Sequence, residues 1–193
     1  MEFLPGSVIK FEREDGLNAF GKFMTVLTAT NGITFSQLQE ITGLSGSTIQ
    51  NWIKRGWVVN PVDKRYGEVH LARILLINMV RDVLPLESIA EMMSIVNGSV
   101  SDRGDDMLPD REWYNILCRC IFDYEEVSVG HKDMSYERLR GCISKEIACL
   151  DGLSDEDRET LSSVLFIMVN AYIASLINRS VQKEWDNLLR RKK

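Results

Sequence analysis

TFSQLQEITGLSGSTIQNWIKRGWVVNP, residues 34–61, reads as two short helices joined by a tight turn and followed by the first strand of a hairpin. Thr34 precedes an apolar-periodic run of Phe35, Leu38 and Ile41, and Gln37 sits three residues on, the pattern of a capping box. Gly43 closes the first helix, where the backbone turns left-handed and glycine does so without a Cβ clash. Ser45 then offers its hydroxyl to the free amides of a second helix. In that helix Ile49, Trp52 and Ile53 share one face by helical spacing, and Gly56 ends it. Ser47, Gln50, Asn51 and Lys54 are left on the opposite side. A hydroxyl, two amides and a lysine suit a helix that reads the major groove, since amides pair bidentately with adenine and lysine reaches guanine or phosphate. The plainer reading is a solvated polar face, because helix-turn-helix shapes also serve as packing units.

The following residues favour the groove. Trp57-Val58-Val59, Asn60-Pro61-Val62-Asp63 and Lys64-Arg65-Tyr66 read as strand, turn and strand, a small wing carrying Lys64, Arg65 and Tyr66 towards DNA. An apolar helix from Gly67 to about Val83 and a further helix over LPLESIAEMMSIV come next. Over residues 33–96 this order resembles the DNA-binding domain of the MerR family of bacterial regulators. Phe35, Leu38, Gly43, Ser45, Thr48, Ile49, Gly56, Arg65, Tyr66, Leu71, Ile74, Leu86 and Ile89 carry the resemblance. Gln50 and Asn51 stand where that family usually has an arginine and a tyrosine. The run RYGEVHLARILLINMVRDVLPLESIAEMM is most similar to an uncharacterised bacterial domain-of-unknown-function family with a MerR-like half and a helical tail. The resemblance implies a dimer that distorts promoter DNA, with room for an unidentified small-molecule effector.

Charge is distributed rather than uniform. The chain of 193 residues has a formal net charge of −5, which by itself argues against nucleic acid. Residues 33–81 nevertheless carry Lys54, Arg55, Lys64, Arg65, Arg73 and Arg81 against Glu40, Asp63 and Glu68, a basic island between acidic flanks. The N-terminus lacks a charged-then-apolar signal pattern and no apolar run suggests a membrane span, so a reducing cytoplasm is expected.

Three parts are expected along the chain. Residues 1–13 look irregular, and Leu17, Phe20, Phe23, Met24 and Leu27 predict an amphipathic helix between Asp15 and Thr30, making 1–32 an N-terminal extension. Residues 33–97 form the winged helix-turn-helix, with a third helix apolar on nearly all faces and therefore central. Residues 98–106, rich in glycine, serine and aspartate, read as a linker. Residues 107–193 read as a helical dimerisation and effector domain. One helix opens at Pro109 or Asp110 with Trp113, Ile116, Leu117, Ile121 and Tyr124, and another at Ser135 or Tyr136. A long helix is capped by Ser154 and ends in Arg190-Arg191-Lys192-Lys193, basic groups suited to its negative end. So long an apolar helix cannot bury itself against two shorter partners, and a homodimer is inferred; two-fold symmetry would set two reading helices about 34 Å apart.

The fold class expected is thus all-α with a small β-hairpin wing. The function expected is sequence-specific binding of double-stranded DNA by a transcriptional regulator; the alternative is a helical interaction protein that keeps the shape without binding DNA. No enzymatic activity is expected: His70 and His131 lack a carboxylate or nucleophile pattern, and GLSGS at 43–47 lacks the final glycine of a nucleophile elbow. No cofactor is expected either. Cys118 and Cys120 lie on opposite sides of a helix, whereas Cys142 and Cys149 share a face; buried reduced thiols are the commoner explanation than metal, and no metal is expected.

Overall fold

The computed structural model describes residues 3–10, 18–98, 104, 106–128 and 136–191. Its elements are helices: α1 (Gly21–Ala29), α2 (Phe35–Thr42), α3 (Gly46–Lys54), α4 (Glu68–Val80), α5 (Leu86–Asn97), α6 (Asp110–Ser128), α7 (Tyr136–Ala148) and α8 (Asp155–Arg190). The chain is all-α, as expected. Among the described residues there is no strand, only isolated antiparallel bridges.

The β-hairpin wing is therefore corrected to a single bridged turn. Asp63 and Lys64 both have positive φ, 49° and 59°, the signature of a two-residue hairpin turn, and the Arg65 amide donates to the Val62 carbonyl at 2.8 Å. A ladder cannot grow from there. Pro61 has no N–H to give, and Tyr66 exchanges both of its backbone bonds with Ile33 at 2.9 Å instead.

The core is built around α4. Ten of its thirteen residues are buried, and it packs against α2, α5, α6 and α8. Leu71, Ile74 and Leu75 of α4 belong to the same buried cluster as Trp113, Ile116 and Leu117 of α6 and Leu165 and Met168 of α8. The N-terminal segment 3–10, expected to be irregular, is pinned to this cluster. Leu4 is buried, the Asn78 side-chain amide donates to the Gly6 and Thr42 carbonyls at 2.8 and 3.1 Å, and the Tyr114 hydroxyl donates to the Pro5 carbonyl at 2.8 Å. The observed α1 is shorter than the predicted helix; residues 11–17, most of the linker at 98–106 and His131 lie outside the described residues.

Two buried charges join the halves of the chain. Arg73 Nε on α4 lies 3.0 Å from Asp110 Oδ2 at the start of α6, with side-chain exposures of 3% and 2%. Asn97, the last residue of α5, donates to Asp110 Oδ1 at 3.0 Å and accepts from the Leu108 amide at 3.4 Å. The apolar attraction between helices is non-directional, so this ionic and amide cluster is what fixes how α4, α5 and α6 are registered.

α8 has two different halves. Leu161, Val164, Leu165, Met168, Val169 and Tyr172 are buried, whereas Ile177, Val181 and Trp185 are 58%, 65% and 54% exposed. The expectation that no segment has membrane-span character needs correction, because an 18-residue window of α8 reaches a mean hydropathy of 1.9. Of that window 44% is buried, and its core-facing residues pack onto the other helices.

Arg73→Met should cost about 3–5 kcal/mol in urea denaturation, because it strands a buried carboxylate. Adding Asp110→Leu should recover much of that loss; a double variant as unstable as the sum of the singles would contradict the coupling.

Candidate nucleic-acid interface

The α2–turn–α3 unit is fixed by local chemistry. Thr34 Oγ1 accepts from the Gln37 amide at 3.3 Å and Gln37 Oε1 accepts from the Thr34 amide at 2.9 Å, so the capping box forms in full. Gly43 adopts φ 69° and its amide donates to the Gln39 carbonyl at 2.8 Å. Ser45 Oγ accepts from the Thr48 amide at 3.2 Å and lies 3.0 Å from Ser47 Oγ and 2.8 Å from Thr48 Oγ1. A Cβ at Gly46 would stand 3.0 Å from Phe35 Cε1, so a larger residue there would require the Phe35 ring to shift by a few tenths of an ångström.

α3 buries Ile49 and Trp52 and half-buries Ile53. Ser47, Gln50, Asn51 and Lys54 are exposed together on its other side. Asn51 and Ser47 also border a cleft of about 510 Å³ whose far wall is Arg81, Asp82 and Leu86, from the turn between α4 and α5. Arg81 and Asp82 were not anticipated as neighbours of this face. Nothing local in the sequence signals them, since they arrive through the α4–α5 turn.

The wing residues divide. Lys64 and Arg65 are exposed, and Arg65 Nη1 donates to the Gly32 carbonyl at 3.4 Å, which leans it towards the chain entering α2. Tyr66 is not on the surface: it is 7% exposed, its ring 5.7 Å from Phe35 and 5.5 Å from His70. Tyr66 therefore holds the bridged turn to the core rather than standing out on the surface as expected. His70 is buried beside it. Its Nδ1 accepts from the Gly67 amide at 3.0 Å and its Nε2 lies 3.1 Å from the Asn60 carbonyl, so the proton sits on Nε2. One imidazole thus closes both ends of the wing. Its position three residues into α4, where a capping side chain reaches back, was the available signal.

The basic island thins on inspection. Arg73 is consumed in the core, Arg55 meets Glu87 at 2.9 Å and stacks 5.0 Å above the Trp57 ring, and Arg81 Nε lies 3.8 Å from Asp82. Arg55 and Arg81 stay exposed beside these carboxylates, and Lys54, Lys64 and Arg65 are exposed without an ion-pair partner among the described residues.

Residues 23–117 match a family model described as "Domain of unknown function (DUF1836)". The matched stretch runs from α1 to Leu117 in α6, past the sequence-expected boundary at 97. It includes Asp110 and the first two turns of α6 that cover α4. The chain is also similar to the "Uncharacterized protein YkrK" of Bacillus subtilis (strain 168), at 23% identity over 197 residues, covering 96% of this chain and 80% of that protein. No solved structure gives a significant match. Among the described residues no group of three or more His, Cys, Asp or Glu side chains is placed to hold a metal ion. Cys149, expected on a buried face with Cys142, is exposed just beyond α7.

Gly43 and Gly56 offer a matched pair for testing the turn. Both have positive φ, 69° and 75°, but an added Cβ meets Val8 Cγ1 at 2.7 Å at Gly43 and nothing within 4 Å at Gly56. Gly56→Ala should cost about 1–2 kcal/mol for the backbone alone. Gly43→Ala should cost more in the same denaturant titration, and a smaller loss there would contradict the packing of the N-terminal segment on the turn.

Proposed function

We propose that this protein is a sequence-specific DNA-binding transcriptional regulator of the MerR-like helix-turn-helix type, with a bridged turn in place of the wing. It acts as a homodimer in a reducing cytoplasm. The observation that carries the reading is the joint exposure of Ser47, Gln50, Asn51 and Lys54 on a helix whose other face is locked by Ile49 and Trp52. α3 enters the major groove, Gln50 and Asn51 pair with base edges, and Lys54, Lys64 and Arg65 contact phosphate. So few cations free of a carboxylate partner give modest nonspecific affinity, which leaves discrimination to the amides.

Dimerisation is supported by the outer half of α8. At helical spacing Ile177, Val181, Trp185 and Leu188 form one exposed apolar strip, and the same face of the helix carries Glu156 and Glu159 near its start. An antiparallel pairing would set this strip against that of a second copy. A cavity of about 500 Å³ between the N-terminal segment, the end of α2 and α8, lined by Leu4, Tyr172, Leu176, Arg81 and Arg179, is large enough for a small effector. The competing reading, an interaction protein that does not bind DNA, draws on the same exposed strip and on the acidic whole.

DNA binding tests the difference. Lys64→Ala and Arg65→Ala should weaken binding to every duplex and each reduce the salt slope by about one. Gln50→Ala and Asn51→Ala should instead change the preferred base at one position, by about 1–3 kcal/mol. Equal weakening of all sequences by all four would refute base reading by α3. Separately, Val181→Glu or Trp185→Glu should convert a dimer to a monomer in light scattering at micromolar concentration; a wild-type monomer would remove the dimer.

A further inference from the structure

Cys120 on α6 and Cys142 on α7 face one another with their sulfurs 3.7 Å apart. Cys120 is fully buried and Cys142 half-buried, so a small reagent can approach Cys142 while Cys120 waits behind it. The two helices are held in this register by Arg119, the residue before Cys120, which binds Glu146, one turn beyond Cys142, at 2.7 Å and Glu112 at 3.0 Å. Leu139, Ile143 and Ile147 bury the adjoining face of α7. The sequence offered only pairs along one helix, Cys118 with Cys120 and Cys142 with Cys149. The pair that meets spans two helices.

We propose that Cys120 and Cys142 are an oxidisable dithiol, a modification site at which a hydroperoxide closes a disulfide between α6 and α7. The Cys142 sulfur attacks the peroxide, forming an S–O bond as the O–O bond breaks, and the departing oxygen leaves as water after taking up the thiol proton. Cys120 then attacks the Cys142 sulfur, an S–S bond forms, the S–O bond breaks, and the hydroxyl leaves as water with the Cys120 proton. Two thiols and one hydrogen peroxide thus give one disulfide and two waters. To form the bond the sulfurs must close from 3.7 Å to about 2.05 Å. The order of attack agrees with the electrostatics. The hydrogen bond between the two sulfurs holds the Cys142 thiol below the ordinary range, despite burial and the nearby Asp123 and Glu146, while the same bond and burial push Cys120 well up. Cys118 is a poorer partner, fully buried beside Tyr114 and raised by desolvation.

The test is peptide mapping of the native protein after millimolar hydrogen peroxide, alkylation and trypsin, in a Cys149→Ser background that removes the exposed thiol. Trypsin cuts after Arg119 and so separates Cys118 from Cys120, which makes the assignment unambiguous. The expected product joins the peptide beginning at Cys120 to the peptide Gly141–Lys145, two hydrogens lighter than the separate thiols, and it disappears on reduction. Cys120→Ser should abolish it and leave Cys142 as a sulfenic acid trapped by dimedone. Oxygen added to Cys142 with Cys120 still free in the wild-type pair, a bridge involving Cys118, or no change at all would each overturn the proposal. None of these outcomes bears on DNA binding.

Discussion

Burying α4 on every side is the constraint from which the remaining structure follows. A helix with ten of thirteen residues out of water has no solvent face to offer, so its neighbours must surround it. α2, α5, α6, α8 and the N-terminal segment do so. Apolar contact alone would let those neighbours slide. The two polar side chains that α4 also buries, His70 and Arg73, need partners at fixed angles and thereby set positions. His70 ties down both ends of the wing, and Arg73 ties down the start of α6. The orientation of α3 is inherited from these bonds through α2 and the Phe35–Tyr66 contact.

From that frame α3 keeps only an amphipathic role. Ile49 and Trp52 go inward, and a compact polar surface is left outside with little fixed positive charge around it. Most arginines of the basic island meet carboxylates: Asp110 in the core, Glu87 and Asp82 at the rim. On the proposed reading, discrimination depends on matching base edges and on two copies bound at once, which would link the polar face of α3 to the exposed strip of α8.

Local features were legible in the sequence. The capping box at Thr34 and Gln37, the left-handed Gly43, the Ser45 cap and the inward face of α3 each depend on residues within one helical turn. The central character of α4 and the start of α6 at Asp110 were equally plain from apolar spacing. What escaped reading depends on residues far apart in the chain. Tyr66 seemed a surface residue because its pairing with Ile33 cannot be seen from its neighbours, and that pairing together with Pro61 stops a β-ladder. Arg73 counted as a surface cation until Asp110 was found against it. Cys120 meets Cys142 across two helices, where spacing along one helix says nothing.

The central claim is that the exposed face of α3 reads base sequence. Selection of bound duplexes from a random library, compared between the wild type and Asn51→Ala, tests it most directly. The account predicts an enriched motif with two related half-sites about one helical turn apart, and loss of preference at one position of each half-site in the variant. Failure of the wild type to enrich any motif, or an identical motif with Asn51→Ala and with Gln50→Ala, would contradict it.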